Sequence, residues 1–416
     1  MLDHQNFFKE VKKIDITNIF LISILPLSLI TRSLFINILT LLVAIIFLIT
    51  IVREKKLFFL NDKIFYLLCL FWLSLIINLF FSTDLKASML RILGFGKFIF
   101  FVFAIKYYCL LQNSKYKKFI FTIWFFTFLV ISFDLLFEFI FGFNTLGYKS
   151  SWNGRLSGFL NDELKIGYYY SAFILFSLTY IYYNHKNYLL IFLCAFIFIF
   201  MSFAIGERAN FVRTFLIFIT FYFIFDKKFF IRKVFFLLFF FIAIIFTSLK
   251  IDGIKARFWG QFLKPIINTL SIQEYINTTQ YGAHYDTAIK IFYNYPLFGS
   301  GIKTFRNESS RDIYNIPYNS FMDGKRWATH PHQVHLEFLS ETGIFGYLTF
   351  LLFFFYTIGK SIKYYIASKN LYQLSAILFA SITLLPIFPS GSFFTTYAAT
   401  IFWTNFAIMI THNNKN

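Results

Sequence analysis

About twelve long apolar runs, separated by short polar connections, constrain this chain more than any other feature of its sequence. A helix needs about 20 apolar residues to cross the hydrocarbon core of a bilayer, and each run reaches or approaches that length. With 58% apolar residues over 416 positions, the chain has more apolar surface than a soluble domain needs. We therefore predict an all-α polytopic membrane protein with about twelve transmembrane helices. The runs lie at 17–31, 34–52, 64–82, 90–112, 118–142, 167–183, 188–205, 211–225, 234–249, 343–359, 371–388 and 394–411.

Basic residues concentrate in alternate connections between these runs. The positive-inside rule assigns such loops to the cytoplasm and, with them, both termini. Topology thus accounts for most of the net charge of +19, which in a soluble protein would suggest nucleic-acid binding. The polar start leads into the first run with no small-residue cleavage site, so we expect that run to be retained as a membrane helix. The basic loops lie at 53–56, 115–118, 186, 227–233 and 360–369.

The longest polar segment, residues 250–342, separates the ninth run from the tenth. It contains Gly, Pro, Asn, Asp and aromatic residues, and interruptions of this length are usually functional. We predict a folded extracytoplasmic subdomain over 250–342, between membrane regions at 1–249 and 343–416. The three cysteines lie inside apolar runs and indicate neither disulfides nor a metal site. The connections expected on the same side as this subdomain are 143–166, 206–213 and 389–397.

Several ionisable residues fall inside or beside the apolar runs, where a charge is costly without a partner or water. Asp134 and Glu138 are four residues apart and therefore share one helix face near its outer end. For Arg91 and Lys97, the pattern leaves two interpretations open, a lining role in a cavity or an anchor at the interface. For Lys106 we expect the side chain to extend to the cytoplasmic interface.

The stretch 329–346 contains three histidines just before an apolar run. Pro331 suits the first position of a helix, so we expect His332 at the helix start and His335 one turn further on. A histidine there can exchange a proton near neutral pH. The alternatives are a cluster of interfacial histidines and a zinc site that includes His330. The spacing is not that of H-E-x-x-H, and no cysteine supports a metal.

Arginines and glycines mark the other polar connections. Arg208 and Arg213 flank a helix start, and Arg155 lies in the preceding loop. Guanidinium groups suit phosphate oxygens, but an interface anchor paired with an acidic neighbour explains them equally well. Gly299 and Gly301 permit a tight turn, either purely structural or with amides that face an anion. Together, these residues fit a ligand with a lipid tail and an anionic head.

Five motifs occur in a fixed order along about half of the chain. In that order they resemble the O-antigen ligase/polymerase superfamily of bacterial envelope glycosyltransferases. Gln333 stands where the family usually has Asn, and Glu138 where it has Gln. The motifs are Asp134…Glu138-Phe-Ile-Phe-Gly142…Gly147, Arg155-Leu-Ser-Gly-Phe-Leu-Asn-Asp162…Gly167, Glu207-Arg208-Ala-Asn-Phe211, Asn294-Tyr-Pro-Leu-Phe-Gly-Ser-Gly-Ile302…Phe305 and His330-Pro-His-Gln-Val-His-Leu-Glu337…Glu341-Thr-Gly-Ile-Phe-Gly346.

The resemblance implies a GT-C-like enzyme of lipopolysaccharide biosynthesis in the bacterial inner membrane, with its site facing the periplasm and with no cofactor or metal. It implies that His332 is the catalytic base or orients the acceptor. The arginines would bind the pyrophosphate, first Arg208 and Arg155, with Arg213 as a further candidate. The supporting residues would be Glu341, His335, Asp134, Glu138, Gly299 and Gly301.

Three functions follow from these patterns. The leading hypothesis is an O-antigen ligase that moves a glycan from undecaprenyl pyrophosphate to lipid A-core. A polymerase, which joins lipid-linked repeat units, shares the donor chemistry. A transporter or flippase would place its functional residues near the bilayer midplane between related halves, whereas the polar residues here concentrate on one face. The expected partners are the lipid-linked donor, a lipid acceptor and membrane lipids, with no nucleic acid.

Overall fold

Each apolar run of the sequence overlaps one or more helices in the computed structural model of the protein, although some runs extend beyond them, as 371–388 does beyond Thr383. The described residues contain no strand, which confirms the all-helical class. Asp162 of the arginine loop and Lys56, Lys227 and Lys228 of the basic loops lie outside the described part of the chain. The structure describes residues 13–55, 57–111, 114–161, 163, 165–225, 230–264, 267, 271–314 and 326–411.

The longer helices are numbered here in chain order. They are α1 (Lys13–Ser23), α2 (Ser33–Glu54), α3 (Lys63–Leu79), α4 (Leu85–Phe95), α5 (Lys97–Lys106), α6 (Ser114–Phe141), α7 (Ile166–His185), α8 (Tyr188–Ala204), α9 (Arg208–Phe225), α10 (Phe230–Lys250), α11 (Gln280–Asn294), α12 (Val334–Ser368), α13 (Leu371–Thr383) and α14 (Thr396–Met409).

By length and composition, six helices of the described chain suffice to cross a membrane. The protein is therefore a multi-pass membrane protein. Shorter apolar helices accompany them, among them α3 and α13. The count of about twelve spans, the domain limits and the side on which 250–342 lies stay predictions. The six candidate spans are Ser33–Glu54, Leu85–Cys109, Lys115–Phe141, Arg208–Phe225, Lys233–Lys250 and Val334–Ser368.

The first turns of α12 pack against α3 through aromatic side chains. The ring of Phe71 from α3 lies 6.1 Å from that of Phe338 in the first turns and 5.4 Å from that of Phe350 beyond the break, and the two α12 rings stack with their centroids 4.3 Å apart. Such pairs add about 0.5–1.5 kcal/mol beyond the area they bury. The helix start that follows the histidine stretch is therefore held firmly against the bundle.

Helix α12 is broken at Gly343, whose φ of 64° and ψ of −173° are not helical. The backbone of 296–301 crosses the break and replaces the lost helical bonds. Ile344 N donates to Pro296 O at 2.9 Å, and Gly301 N donates to Glu341 O at 2.9 Å. The break lies inside the candidate span Val334–Ser368, next to the domain boundary predicted between 342 and 343, which stays a prediction.

Gly299 and Gly301 make this crossing sterically feasible. A Cβ on Gly299 would lie 2.4 Å from the carbonyl carbon of Glu341, and one on Gly301 would lie 2.1 Å from Ser82 Oγ. The amides of Gly299, Ser300 and Gly301 all donate to backbone carbonyls. None of these three amides is left to bind an anion. The structure therefore favours the purely structural turn over the anion site.

The expectation for Lys106 is wrong. Its Nζ lies 2.6 Å from Asp62 Oδ2, and both side chains are almost fully buried. Asp62 also caps the start of α3 by accepting from Ile64 N. The lysine is therefore held inside by a carboxylate 44 residues away in sequence, because a buried charge is far less costly when it is paired.

Candidate active site

The loop that carries Arg155 is held by the two carboxylates of α6. Glu138 accepts from Gly158 N at 2.7 Å and from Ser157 N at 3.1 Å. Asp134 accepts from Thr145 N at 2.9 Å. The predicted shared face of the two carboxylates is thus occupied by backbone amides of the 143–158 loop. Their contacts position the loop rather than any ligand.

Three glycines bring three distant segments into direct backbone contact. A Cβ on Gly206 would lie 2.0 Å from Gly154 O, and a Cβ on Gly154 would lie 2.3 Å from Gly253 O. Gly154 and Gly206 both have φ of +74°, a backbone conformation that residues other than glycine rarely adopt. The loop after α6, the connection before α9 and the short helix Asp252–Lys255 therefore meet at one point.

An arginine follows each of these glycines within four residues, and the three guanidinium groups form a cluster of Arg155, Arg208 and Arg257. Arg257 Nε donates to Gly206 O at 3.3 Å. Burial, and then the charges of Arg208 and Arg155, lower the pKa of Arg257 to about 10. Like charges gathered in a partly buried place disfavour one another unless an anion joins them. The arginine cluster is therefore suited to bind a polyanion such as a pyrophosphate.

Glu207 lies beside the arginine cluster. It accepts from Gly167 N at 3.0 Å and from Asn210 Nδ2 at 2.5 Å, and its Oε1 lies 3.5 Å from Arg155 NH2. Burial raises the pKa of Glu207, although the nearby charge of Arg155 opposes that effect. The carboxylate offsets part of the positive charge and fixes Arg155 between the loop and α9.

Arg213 is not brought into the arginine cluster. It is 1% exposed and donates to Pro389 O at 3.1 Å and to Asn210 Oδ1. Its guanidinium also lies 5.9 Å from the ring centroids of Tyr168 and Phe388. These contacts fix the loop between α13 and α14, so the structure offers no support for pyrophosphate binding by this residue.

His332 lies before α12 and not on it, which corrects the predicted helix start at Pro331. The helix begins at Val334, because the side chain of Gln333 caps it by accepting from Leu336 N at 2.7 Å. His332 itself has φ of 56°, a left-handed conformation that few residues other than glycine adopt. Its carbonyl accepts from Ser390 N at 2.8 Å, which ties the histidine to the loop before α14.

Three histidine rings and one tyrosine ring form a cluster at this point. The ring centroid of His332 lies 4.1 Å from that of His330, 5.3 Å from that of His284 and 5.4 Å from that of Tyr281. His284 and Tyr281 belong to α11. In the described part of the chain, the His332 ring has no hydrogen-bond partner. The cluster therefore holds an imidazole that is positioned by packing, with its nitrogens open to a ligand.

Burial keeps these histidines neutral. It lowers the pKa of His332 to about 4. The pKa of His284 falls to about 4 through burial and the neighbouring charges of His332 and Arg326. Burial, followed by the charges of His332 and Lys303, lowers the pKa of His330 to about 3. At neutral pH, His332 is unprotonated and can accept a proton.

His335 has protein partners on both ring nitrogens. Nε2 lies 2.7 Å from Leu384 O and Nδ1 lies 2.8 Å from Tyr347 Oη. Because a carbonyl only accepts, Nε2 carries the proton and Nδ1 accepts from the tyrosine. Glu341 is likewise occupied, since it accepts from Lys303 N at 2.9 Å and Phe305 N at 3.3 Å. Both residues hold the scaffold around the site.

Tyr281 connects the two clusters. Its ring contacts His332, and its hydroxyl is close enough to Arg257 to act on the pKa of that guanidinium. In space, the site therefore runs from the arginine cluster through Tyr281 to His332. Of these residues, sequence reasoning identified Arg155, Arg208 and His332. It missed Arg257, Tyr281 and His284, although the recurrence of glycine shortly before arginine at Gly253 was a readable signal.

Substituting Gly206 by alanine should collapse the arginine cluster. The new Cβ would lie 2.0 Å from Gly154 O at a φ that alanine disfavours, so the three segments must separate. We expect the variant to lose at least about 1–2 kcal/mol of stability, visible as a lower thermal midpoint in detergent. The control is Gly359→Ala, where a Cβ meets nothing within 4 Å. Equal midpoints for the two variants would contradict the close glycine contact.

Acidification should destabilise the protein through the histidine cluster. A folded-state pKa of about 4 for His284, below the ordinary value of 6.5, means that its contribution is complete above about pH 6.5 and is lost as the pH falls towards 4. The slope reaches about 1.4 kcal/mol per pH unit for one such group. His284→Phe should reduce the slope of this loss between pH 7 and 5 in thermal unfolding, while His330 and His332 still contribute to it. His185→Phe, at an exposed position, should leave it unchanged, and an unaltered slope in His284→Phe would refute the assignment.

In the described residues, no group of three or more His, Cys, Asp or Glu side chains has an arrangement that would hold a metal ion. Fold and site together define a helical multi-pass membrane protein with an arginine cluster beside neutral histidines. A family model described as O-antigen ligase (Wzy_C) matches residues 167–351. This match confirms the resemblance seen in the motifs to the O-antigen ligase/polymerase superfamily over the matched residues. No curated protein matches the chain.

Proposed function

We propose that the protein is an O-antigen ligase, which transfers a glycan from undecaprenyl pyrophosphate to lipid A-core at the periplasmic face of the bacterial inner membrane. The family match supports ligase- or polymerase-type activity in general. The observation that carries the proposal is the meeting of Arg155, Arg208 and Arg257 next to Tyr281 and His332. A polyanion site that is connected through Tyr281 to an unprotonated imidazole suits this transfer.

The reaction uses the two halves of the site separately. An acceptor hydroxyl oxygen attacks the anomeric carbon of the glycan, while the bond from that carbon to the pyrophosphate oxygen breaks. The leaving pyrophosphate keeps the electron pair, and the arginine cluster offsets its growing charge. The hydroxyl proton passes to an unprotonated nitrogen of His332. Binding of the anionic donor nearby favours the protonated form of the histidine and so assists this transfer.

The ligase and the polymerase differ only in the acceptor. In a strain that lacks the gene, loss of a ligase leaves long polymer that is not attached to lipid A-core, whereas loss of a polymerase leaves single repeat units on lipid A-core. We expect unattached polymer. Single repeat units in place of long chains would reject the ligase and favour polymerisation.

A further inference from the structure

A second group of cations lies in a cavity that reaches the histidine cluster. This cavity has a volume of about 850 Å³ and is lined at one part by His330 and Glu207. Arg91 and Lys97 line it as well. The cavity therefore connects the reacting region, through His330, with basic side chains that the proposed reaction does not use.

Lys97 has no acidic partner within the described residues, although it lies inside the candidate span Leu85–Cys109 and is only partly exposed. Its Nζ donates to Asn37 Oδ1 at 2.6 Å. Arg91 NH1 donates to Thr396 Oγ1 at 3.4 Å and likewise has no acidic partner there. Charges at membrane depth are costly without a counter-ion. The two side chains thus form an anion site that the protein itself leaves open.

An apolar groove continues from this cationic pair. Asn37, Gly94 and Lys97 line both the 850 Å³ cavity and a groove of about 750 Å³. The rest of the groove is built from apolar side chains of α2, α3 and α5, with Ile45 and Phe100 among them. A groove of this kind accepts a hydrocarbon chain, while its polar end accepts an anionic head group. The ligand it fits is a phosphate-bearing lipid.

We propose that Lys97 and Arg91 bind a phosphate of the lipid A-core acceptor, with an acyl chain in the groove. The core sugar that receives the glycan is then directed towards His330. This inference rests on the proposed function. Charge complementarity selects the acceptor, because the donor pyrophosphate already has its partner in the arginine cluster. Glu207 lies between the two sites, since it lines the cavity and pairs with Arg155. The 4.1 Å contact of His330 with His332 brings the acceptor side of the cavity to the base.

Direct binding of lipid A-core tests this site without any donor. Fluorescent lipid A-core, with its phosphates intact or removed, is titrated against the full-length protein in nanodiscs of neutral lipid. The wild type should bind the phosphorylated probe about ten- to a hundredfold more tightly, as the loss of a charge-assisted hydrogen bond allows. Lys97→Gln should lose this preference, and Lys97→Arg should retain it. The matched control is Lys86→Gln, at an exposed position on α4 outside the cavity.

Two results would overturn the inference. One is an unchanged phosphate preference in Lys97→Gln. The other is equal competition by phosphatidylglycerol, which would make the site a general one for anionic phospholipids. An unaltered thermal midpoint in Lys97→Gln shows that this variant is folded. Retained phosphate preference in Lys97→Arg shows that the glutamine variant lacks only the charge. If the wild type binds phosphorylated lipid A-core through Lys97 but transfers no glycan to it, the proposed function fails and the binding site stands.

Discussion

Substitution of His332 by asparagine should lower the rate of glycan transfer about 10²- to 10⁴-fold, the range that a positioned general base contributes. Asparagine tolerates the left-handed φ of 56° at this position, so the backbone before α12 should keep its form. Its amide cannot accept the hydroxyl proton. Binding of the lipid-linked donor should persist, because the arginine cluster is untouched. The measurement is single-turnover transfer with purified protein.

The pH dependence gives this substitution a second readout. With a pKa of about 4 for His332, kcat/KM of the wild type should stay level from pH 7 to about 5 and fall as the pH approaches 4, where the imidazole becomes protonated. The asparagine variant should lack this fall. His185→Asn, at an exposed position, is the control and should behave as the wild type. Transfer at the wild-type rate in His332→Asn would remove the histidine from the mechanism.

Substitution of Arg208 by glutamine should reduce kcat/KM for the donor about a hundredfold, as expected when one charged donor to a developing oxyanion is removed. Arg208 donates to Gln261 O and contributes to the charge that lowers the pKa of Arg257. Inorganic pyrophosphate should inhibit the wild type competitively with the donor and should inhibit the variant far less. Inhibition isolates anion binding from the chemistry at His332.

The matched control for Arg208→Gln is Arg306→Gln, at an exposed arginine of the short helix Phe305–Glu308. It removes the same charge without touching the arginine cluster, so both kcat/KM and inhibition should be unaltered. If Arg208→Gln retains full inhibition by pyrophosphate, the cluster is not the donor site. A similar loss in both variants would point to a general effect of net charge on the membrane-bound substrate.

The helices could be predicted from sequence because the signal for them is local. Each apolar run is a continuous stretch whose length alone indicates a helix, and each overlaps one or more helices in the structure. The start of α12 could not be placed in the same way. Pro331 is a suitable first helical residue, but the amide oxygen of Gln333 caps the helix two residues later. Tertiary contacts decide between these two local signals.

The site was predicted in part for a related reason. His332 and Arg208 lie in compact motifs that can be read in one stretch of sequence. Arg257 joins them only because Gly253 contacts Gly154, a pair that is 99 residues apart (253 − 154) and has no periodic pattern to connect it. His284 lies on an unremarkable amphipathic helix of the polar segment. Contacts between segments distant in sequence depend on packing, which one sequence does not record.

The scaffold explains why several predicted site residues hold the site without touching a ligand. Asp134 and Glu138 bind backbone amides of the loop before Arg155. Glu341 binds the amides at 303 and 305, beside the break in α12. Buried carboxylates are stable there because backbone donors satisfy them. The carboxylates of these motifs therefore position the loops around the site.

The central claim, transfer from a lipid pyrophosphate to lipid A-core, has one direct measurement. Purified protein in nanodiscs is incubated with a synthetic glycan on undecaprenyl pyrophosphate and with lipid A-core, and the products are identified by mass spectrometry. We predict one glycan joined to lipid A-core for each undecaprenyl pyrophosphate released, with His332→Asn close to background. Longer lipid-linked glycan with lipid A-core unmodified, or no product from a folded wild-type protein that binds both substrates, would contradict it.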